Sequence, residues 1–176
     1  LLEQLQNQTI KEICDNYWKA LLIERLPEIP DFNLLVGWTG QVAITDSLIQ
    51  ATEKKRKVAT DSAFYKEFLG KSHAIVQGLQ TAWKSQDIPA LQEGIRANRA
   101  LLNEFAKEMQ LEIETPALQT LCDLAEQVGA CAKTSGAGGG DCGICLTQNE
   151  TQRQQIETQW AKAQIQVLPL TIAEAW

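Results

Sequence analysis

The sequence predicts an α+β fold in which several helices form a layer on an antiparallel sheet of about four strands. Three observations lead to this prediction. Short apolar runs typical of strands occur towards both ends of the chain, helical periodicity fills the middle, and no linker or internal repeat interrupts the pattern. We therefore expect residues 1–176 to form a single domain, and 176 residues are enough to bury a substantial core.

The first two predicted elements are the apolar runs at residues 17–26 and 32–38. A proline-containing segment, Pro27 to Asp31, joins them and has the composition of a turn. Two apolar runs joined in this way suggest adjacent antiparallel strands. Residues 17–26 could instead continue a helix from Leu2, because the apolar residues before them are loosely periodic.

Helical spacing then dominates the chain from residue 41 to residue 128. We expect one helix over 41–57, a second from an Asp61 cap to Trp83, and a third that begins at Asp87. A fourth is expected over 117–128, after a Thr-Pro pair that provides a cap and a first-turn proline. The third helix has one face whose residues step by four and three: Leu91, Ile95, Asn98, Leu102, Phe105 and Met109.

The last third of the chain returns to strand-like runs. Residues 130–132 and 144–147 are short and apolar, which predicts two buried strands on either side of a glycine-rich segment. A helix is expected over 150–163, and residues 165–172 are expected to form a closing strand. Pro169 would place that strand at the edge of the sheet, because proline cannot donate to a ladder.

Composition excludes several classes of function. The net charge is −6, which disfavours partners such as nucleic acid or an anionic membrane surface. No apolar run approaches the ~20 residues that span a bilayer, and no signal peptide opens the chain. We expect a cytoplasmic protein. The chain begins at Leu1, without Met and in mid-pattern, which suggests a fragment or a processed product.

The five cysteines are an odd number in mostly apolar surroundings, which is typical of a reducing compartment and of thiols buried as small hydrophobes. Cys142 and Cys145 have the spacing of a redox pair or of half a zinc site. A zinc site needs four ligands, and the sequence has no second cysteine pair and a single distant histidine, His73. We therefore predict no metal site in this chain.

The most informative stretch runs from Lys133 to Gly143 and reads KTSGAGGGDCG. It holds five glycines within eight residues. Glycine leaves backbone amides uncovered and permits positive φ, so such a loop can wrap an anion, most often a phosphate. A flexible linker is the alternative, but linkers are usually mixtures of Gly and Ser without an embedded Lys and Asp.

Neither common nucleotide loop fits this stretch. Residues 138–143 match Gly-x-Gly-x-x-Gly, but a dinucleotide loop opens into a helix, whereas this one is followed by the strand-like residues 144–147. A Walker loop ends in Gly-Lys-Ser/Thr, and Lys133 lies at the opposite end. The loop must therefore hold its phosphate in another way.

The same stretch resembles the third conserved motif of the GHMP small-molecule kinases. Its Ser-Gly-Ala-Gly-Gly-Gly-Asp-Cys wording is most similar to the branch that phosphorylates 5-phosphomevalonate. The resemblance extends through residues 36–40, 98–102, 113–116 and 121–125, and together these pieces cover about residues 17 to 170. Several motifs in the same order make the resemblance specific.

That resemblance implies a ferredoxin-like C-terminal domain of a GHMP kinase. It implies transfer of the γ-phosphoryl group of ATP to the phosphate of 5-phosphomevalonate, in the mevalonate pathway to isoprenoids, with Mg²⁺ as the metal cofactor of the full-length parent. The family's ATP loop and catalytic aspartate belong to an N-terminal half that this sequence lacks. No catalytic residue is therefore expected here, and the fragment alone should be inactive without that missing partner half.

The resemblance also implies a set of site residues. The substrate or phosphate would contact the loop and its stem, and three further residues would border the pocket. For Asp141, capping of a turn is as good an interpretation as accepting loop N–H bonds or helping to place Mg²⁺. For Trp38, a place in the core is slightly favoured. The predicted phosphate-binding residues are Lys133, Thr134, Ser135, Gly136, Ala137, Gly138, Gly139, Gly140 and Asp141, and the predicted border residues are Trp38, Thr39 and Arg99.

A different class of function stays open from the sequence. An α+β module with a glycine loop could bind a phosphorylated metabolite without catalysis, and the missing nucleotide loop motivates that hypothesis. The surface where the other half would sit could also promote formation of an oligomer.

Overall fold

The fold was analysed in a computed structural model, which describes residues 26–28, 32–42, 62–136 and 138–170. In chain order the elements of the described residues are strand β1, helices α1 to α3, strands β2 and β3, helix α4 and strand β4. Their bounds are β1 Asn33–Trp38, α1 Ala63–Lys84, α2 Ile88–Glu108, α3 Pro116–Gln127, β2 Cys131–Thr134, β3 Cys142–Thr147, α4 Glu150–Lys162 and β4 Gln166–Val167.

The four strands form one sheet in the order β2-β3-β1-β4, and every neighbouring pair is antiparallel. β3 is central to this arrangement, since Cys145 pairs with Leu35 of β1 on one side and with Ala132 of β2 on the other. The predicted α+β class, with helices layered on an antiparallel sheet of about four strands, is confirmed.

Side chains alternate between the two faces of the sheet, and each face has its own helices. On one face Leu35, Ala132 and Cys145 form the main core with residues of α3 and α4, among them Leu121 and Trp160. On the other face Cys131 and Leu146 pack with Ile95 of α2. The sheet is therefore covered from both sides, and the glycine-rich segment leaves it at the end of β2.

Each helix begins at a residue whose side chain accepts a backbone N–H bond, as capping requires. Thr115 caps α3 as predicted, accepting from Leu118, and Asp87, where α2 was expected to begin, caps that helix by accepting from Ala90. The first helix is capped by Ser62, whose hydroxyl accepts from the Tyr65 amide at 3.1 Å, and the predicted cap, Asp61, lies outside the described residues. The Asn149 cap of α4 was not predicted.

The apolar stripe predicted for α2 holds at its ends and is looser in the middle. Leu91, Ile95, Phe105 and Met109 are buried, whereas Asn98 and Leu102 are half-buried. Phe105 packs on Phe68 of α1 with ring centroids 4.3 Å apart, so aromatic contacts fasten α1 to α2.

Two predicted elements differ from the structure or lie outside it. The closing strand is two residues long and not eight, because after the Leu168 amide donates to Val36 the chain reaches Pro169, which has no N–H to offer. Within the sheet that the described residues form, β4 lies at the edge, as predicted. Residues 17–25 of the first predicted strand and 43–57 of the first predicted helix lie outside the described residues, while 26–28 and 41–42 belong to neither element.

Candidate functional site

The glycine-rich segment is the connection between β2 and β3, as the sequence predicted. Its stem closes where the Ser135 amide donates to the Cys142 carbonyl at 2.9 Å, next to the last ladder pair, Thr134 with Gly143. Between them the backbone takes left-handed φ values at Gly136, Gly138, Gly139, Gly140 and Asp141. Four of these five residues are glycine because only glycine adopts this conformation without cost from a side chain.

Three backbone hydrogen bonds attach the loop to the rest of the fold. The Gly139 amide donates to the Ile113 carbonyl at 2.8 Å, and the Asp141 amide donates to the Gln41 carbonyl at 2.7 Å. The Asp141 carbonyl in turn accepts from the Thr39 amide at 2.8 Å. The segment is therefore a fixed structural loop and does not have the character of a linker.

Gly138 could not carry a side chain in this loop. A Cβ built there would lie 2.7 Å from the Cγ2 atom of Ile113 and still closer to the Ile113 carbonyl oxygen. Both the positive φ of 77° and this contact demand glycine. At Gly138 the backbone of the loop therefore packs directly against Ile113 of the α2–α3 connection.

Three other amide groups of the loop take no part in these hydrogen bonds. The N–H groups of Gly136, Gly138 and Gly140 have no acceptor among the described residues. Gly136 is exposed, and a Cβ there would meet nothing within 4 Å. Gly138 and Gly140 are buried. Successive amides in a turn can form a concavity that binds an anion.

Lys133 stands at the foot of the loop and is half-buried. Its ammonium donates to the Thr134 carbonyl at 2.7 Å, and no carboxylate among the described residues pairs with it. Burial lowers the pKa of Lys133, because desolvation disfavours its charged form. Lys133 is thus a partly desolvated cation without a carboxylate partner. An anion bound beside such a cation forms a strong, charge-assisted hydrogen bond.

The neighbouring loop residues have different environments. Thr134 is 2% exposed and its hydroxyl has no hydrogen-bond partner among the described residues, so it lies under the loop rather than on its surface. Ser135 is half-buried, at the point where the loop opens. Ala137 lies outside the described residues.

Asp141 contributes its backbone more than its side chain. Its carbonyl accepts from both the amide and the hydroxyl of Thr39, the latter at 2.9 Å, whereas its carboxylate accepts no hydrogen bond from the described residues. The interpretation in which the carboxylate accepts loop N–H bonds therefore has no support among them. Asp141 is the residue that turns the loop back into β3.

Thr39 and Trp38 lie beside the loop, and their role as a border of the pocket stays a prediction. Thr39 is bonded to the loop directly. Trp38 is half-buried at the end of β1 and pairs with Cys142 of β3 and Gln166 of β4. Half-burial is compatible both with a core aromatic and with a residue that borders a pocket.

Arg99 is occupied by two carboxylates. Its Nε atom donates to Glu114 at 2.9 Å and its Nη2 atom to Asp123 at 2.8 Å, and the hydrogen bond to Glu114 is the main reason that its pKa is raised. Two carboxylates already balance the charge of this guanidinium, which weakens its attraction for a phosphate. Arg99 reaches the loop only indirectly, because Glu114 follows the Ile113 whose carbonyl binds Gly139.

Cys142 and Cys145 do not form a chemical centre with each other. Cys142 pairs with Trp38 and Cys145 with Leu35, an odd offset along β3, so the two thiols lie on opposite faces of the sheet. Cys145 is fully buried, and burial raises the pKa of both thiols. The redox-pair and half-zinc hypotheses for this spacing are therefore wrong.

Two other features of the described residues bear on function. A groove of about 890 Å³ lies beside α4 and β4, but it adjoins Asn33–Leu35, the end of β1 remote from the loop, and Arg153 and Glu157 on its wall bind each other. No helix in the described part of the chain is long and apolar enough to cross a membrane.

Sequence reasoning missed the part played by Ile113 and Glu114. These residues lie in the α2–α3 connection, about 25 positions before the glycines they support, and nothing in local periodicity links the two segments. The Ile-Glu-Thr-Pro sequence at 113–116 supported the resemblance to a known family, but it did not indicate that these residues contact the loop.

The sequence of this chain matches a family model and a curated relative. The family model "GHMP kinases C terminal" matches residues 76–166. A phosphomevalonate kinase from Streptomyces sp. (strain CL190) is 40% identical over 158 residues, which cover 89% of this chain and 42% of the relative. The chain thus spans about two fifths of the length of that curated relative.

Solved structures give the same result. The Lin0012 protein from Listeria innocua superposes with a TM-score of 0.82 at 31% identity, over 96% of this chain and 46% of that protein. Phosphomevalonate kinase from Streptococcus pneumoniae, in complex with phosphomevalonate and AMPPNP, superposes with a TM-score of 0.73 at 26% identity, over 94% of this chain and 46% of that one. The chain belongs to the GHMP kinases and has the fold of their C-terminal domain.

Proposed function

We propose that this chain is the C-terminal half of a kinase that transfers the γ-phosphoryl group of ATP to the phosphate of 5-phosphomevalonate. The loop between β2 and β3 would bind the phosphates, and we place the enzyme in the cytoplasm. The name of the Streptomyces relative and the ligands of the pneumococcal structure support this choice of substrate. Membership of a kinase family makes a sensor without catalysis the weaker alternative.

The observation that carries the proposal is the loop with its stem. It combines a fixed backbone, three glycine amides without an acceptor among the described residues, and the ammonium of Lys133 without a carboxylate among them. Phosphate oxygens accept hydrogen bonds from amides and attract cations, so the glycine amides and the Lys133 ammonium could bind the same phosphate.

These groups suit the chemistry of phosphoryl transfer. Both reactants are anionic, and catalysis consists mainly of aligning them and neutralising their charge. The amides of Gly136, Gly138 and Gly140 would donate to phosphate oxygens, Ser135 would add a hydroxyl donor, and Lys133 would add a positive charge. Because the loop is already held by Ile113 and Thr39, little reorganisation is needed when the substrate binds.

ATP and Mg²⁺ are proposed as cofactors of the full-length protein. The described residues contain no group of three or more His, Cys, Asp or Glu side chains that could hold a metal ion. We propose that Mg²⁺ and the nucleotide bind to the N-terminal partner half, where the resemblance places the ATP loop and the catalytic aspartate. By the same argument we propose that residues 1–176 alone are not a competent kinase.

Exchange of half-domains tests the proposal. Residues 1–176 would replace the matching segment of the Streptomyces phosphomevalonate kinase, and ADP release would be measured with 5-phosphomevalonate and with mevalonate as acceptors. We expect turnover with the phosphorylated acceptor, and a KM for it that rises at least about tenfold, or ~1.4 kcal/mol, in the Lys133→Met variant.

Two results would contradict the proposal. One is a folded hybrid, judged by its circular dichroism spectrum, that releases no ADP with either acceptor. The other is calorimetric binding of 5-phosphomevalonate to residues 1–176 alone with micromolar affinity, because a half-site should bind weakly. That second result would favour the sensor.

A further inference from the structure

One of the two carbonyl groups that hold the glycine loop from outside is that of Ile113. The Ile113 carbonyl accepts from Gly139, and Ile113 also closes off the space in which Gly138 lies. Ile113 is 7% exposed and packs against Phe105 and Met109, so its side chain is fixed in the α1–α2 core. What fixes the carbonyl of Ile113 therefore fixes the two glycines.

The next residue, Glu114, is held more tightly than a surface acid would be. Its side chain is 7% exposed, and it accepts from the Nε and Nη2 atoms of Arg99 and from the Nδ2 atom of Asn103 at 3.1 Å. Arg99 also binds Asp123 at 2.8 Å. The guanidinium thus joins α2, the α2–α3 connection and α3 at the point where the loop rests.

Burial makes this ion pair costly, which calls for a reason for its presence. Two charges lose hydration when they are buried, and such a pair often stabilises a protein no more than apolar residues of the same volume would. Its value is then geometric, because a bidentate pair of a guanidinium and a carboxylate allows few orientations.

We propose that Glu114 is a positioning residue of the phosphate loop. Bound by Arg99, it sets the orientation of the Ile113 carbonyl, and through that carbonyl it sets the conformation of Gly138 and Gly139. This inference rests on the proposed function, since it assigns a binding consequence to the loop. The resemblance implied that Arg99 borders the pocket. In this proposal Arg99 instead acts on the loop indirectly, through Glu114.

The test uses the full-length kinase that contains this chain and the variant Glu114→Gln, which keeps the shape of the side chain and removes its charge. We expect the KM for the phosphorylated acceptor to rise about tenfold, with the KM for ATP changed less than about twofold. The matched control is Glu157→Gln, which removes an ion pair with Arg153 of similar length, 3.0 Å, on α4. The control should change neither constant.

A double-mutant cycle separates positioning from general stability. If Glu114 acts through Gly138, then Gly138→Ala and Glu114→Gln remove the same interaction, and the double variant should lose less affinity than the sum of the two single losses. Additive losses would overturn the proposal. So would an unchanged KM in a Glu114→Gln protein whose melting temperature has fallen.

Hydrogen exchange keeps this inference separate from the proposed function. The peptide covering residues 133–143 should exchange its amide hydrogens faster in Glu114→Gln than in Glu157→Gln, because the Gly139 amide loses a fixed acceptor. Faster exchange in a protein without kinase activity would sink the proposed function and keep the positioning role. Equal exchange in the two variants would sink the positioning role itself.

Discussion

Gly37 of β1 lies directly opposite Gly143 of β3, and the pair leaves a slot in the sheet that Trp160 and Leu121 fill. A Cβ at Gly37 would lie 2.7 Å from the Trp160 ring, and one at Gly143 would lie 2.6 Å from a Leu121 methyl. Trp160 is fully buried, and its indole N–H donates to the Leu121 carbonyl at 3.0 Å. The slot lies at the loop end of the sheet, one ladder pair before Trp38 and Cys142.

Gly37→Ala should therefore destabilise the protein. The added methyl meets a rigid ring that cannot move away without losing its hydrogen bond, and overpacking of this kind costs about 1–3 kcal/mol. The measurement is urea unfolding followed by tryptophan fluorescence. A matched control is Gly78→Ala in α1, where a Cβ meets nothing within 4 Å. This control should gain about 0.5–1 kcal/mol from helix propensity, and equal stabilities of the two variants would contradict the slot.

Gly138→Ala should disrupt the loop while sparing the sheet. The residue would clash with the Ile113 carbonyl in addition to bearing the strain of a positive φ, whereas Gly136→Ala bears the strain alone. We expect the Gly138 variant to lose at least about tenfold more affinity for the phosphorylated acceptor than the Gly136 variant. Affinities come from calorimetry on the full-length kinase. Similar losses in both variants would mean that the contact with Ile113 does not shape the site.

Lys133→Met should raise stability at neutral pH, although it weakens binding. The pKa of Lys133 is lowered in the folded protein, so between that pKa and the ordinary value of 10.5 the unfolded chain binds more protons than the native one. The contribution of Lys133 to stability is therefore unfavourable below this window and improves as pH rises through it.

Thermal unfolding of the parent protein and the Lys133→Met variant between about pH 7 and pH 10 measures this effect. The variant should melt higher than the parent at neutral pH, and its advantage should shrink as pH increases. Lys133→Gln, with a neutral polar side chain, serves as a second comparison. A parent protein that is more stable than both variants at neutral pH would show that Lys133 has a stabilising partner.

The buried thiols should be inert in the native protein. Burial raises the pKa of Cys122 and Cys131 to about 12 each, and it also raises the pKa of Cys142 and Cys145. In a Cys14→Ser background, a thiol reagent at neutral pH should label Cys142 slowly and the other three not at all. Labelling of Cys142 should accelerate as pH rises, because the thiolate is the reactive form.

Mass spectrometry of the labelled peptides reads out this prediction. The same protein in denaturant should react at all four positions, which confirms that the reagent can modify them. Fast labelling of Cys145 in the native state would contradict its burial in the core.

Much of the fold followed from local patterns. The Thr115 cap and the start of α2 at Asp87 were predicted because helix starts depend on residues a few positions apart. The loop between β2 and β3 was predicted for the same reason. The predicted length of β4 was wrong, because the length of a strand depends on the hydrogen-bond partners that its neighbour supplies as well as on its apolar content.

The position of the candidate loop was predicted, and its binding of phosphate stays a prediction. Lys133 and the glycines are local to one segment, and Thr39 was reached by resemblance. The slot made by Gly37 and Gly143, and the support from Ile113 and Glu114, were not predicted. Each of these joins residues that are distant in sequence, and only packing makes them neighbours.

The sequence by itself determined the element types, the position of the glycine loop and the resemblance to GHMP kinases, because these depend on periodicity and on wording within short segments. Only the tertiary structure decided which carbonyl the loop rests on, that Arg99 is engaged by Glu114 and Asp123, and that Cys142 and Cys145 face opposite ways. The physical reason is that hydrogen bonds, ion pairs and close packing act over a few ångströms in space, and chain separation does not report that distance.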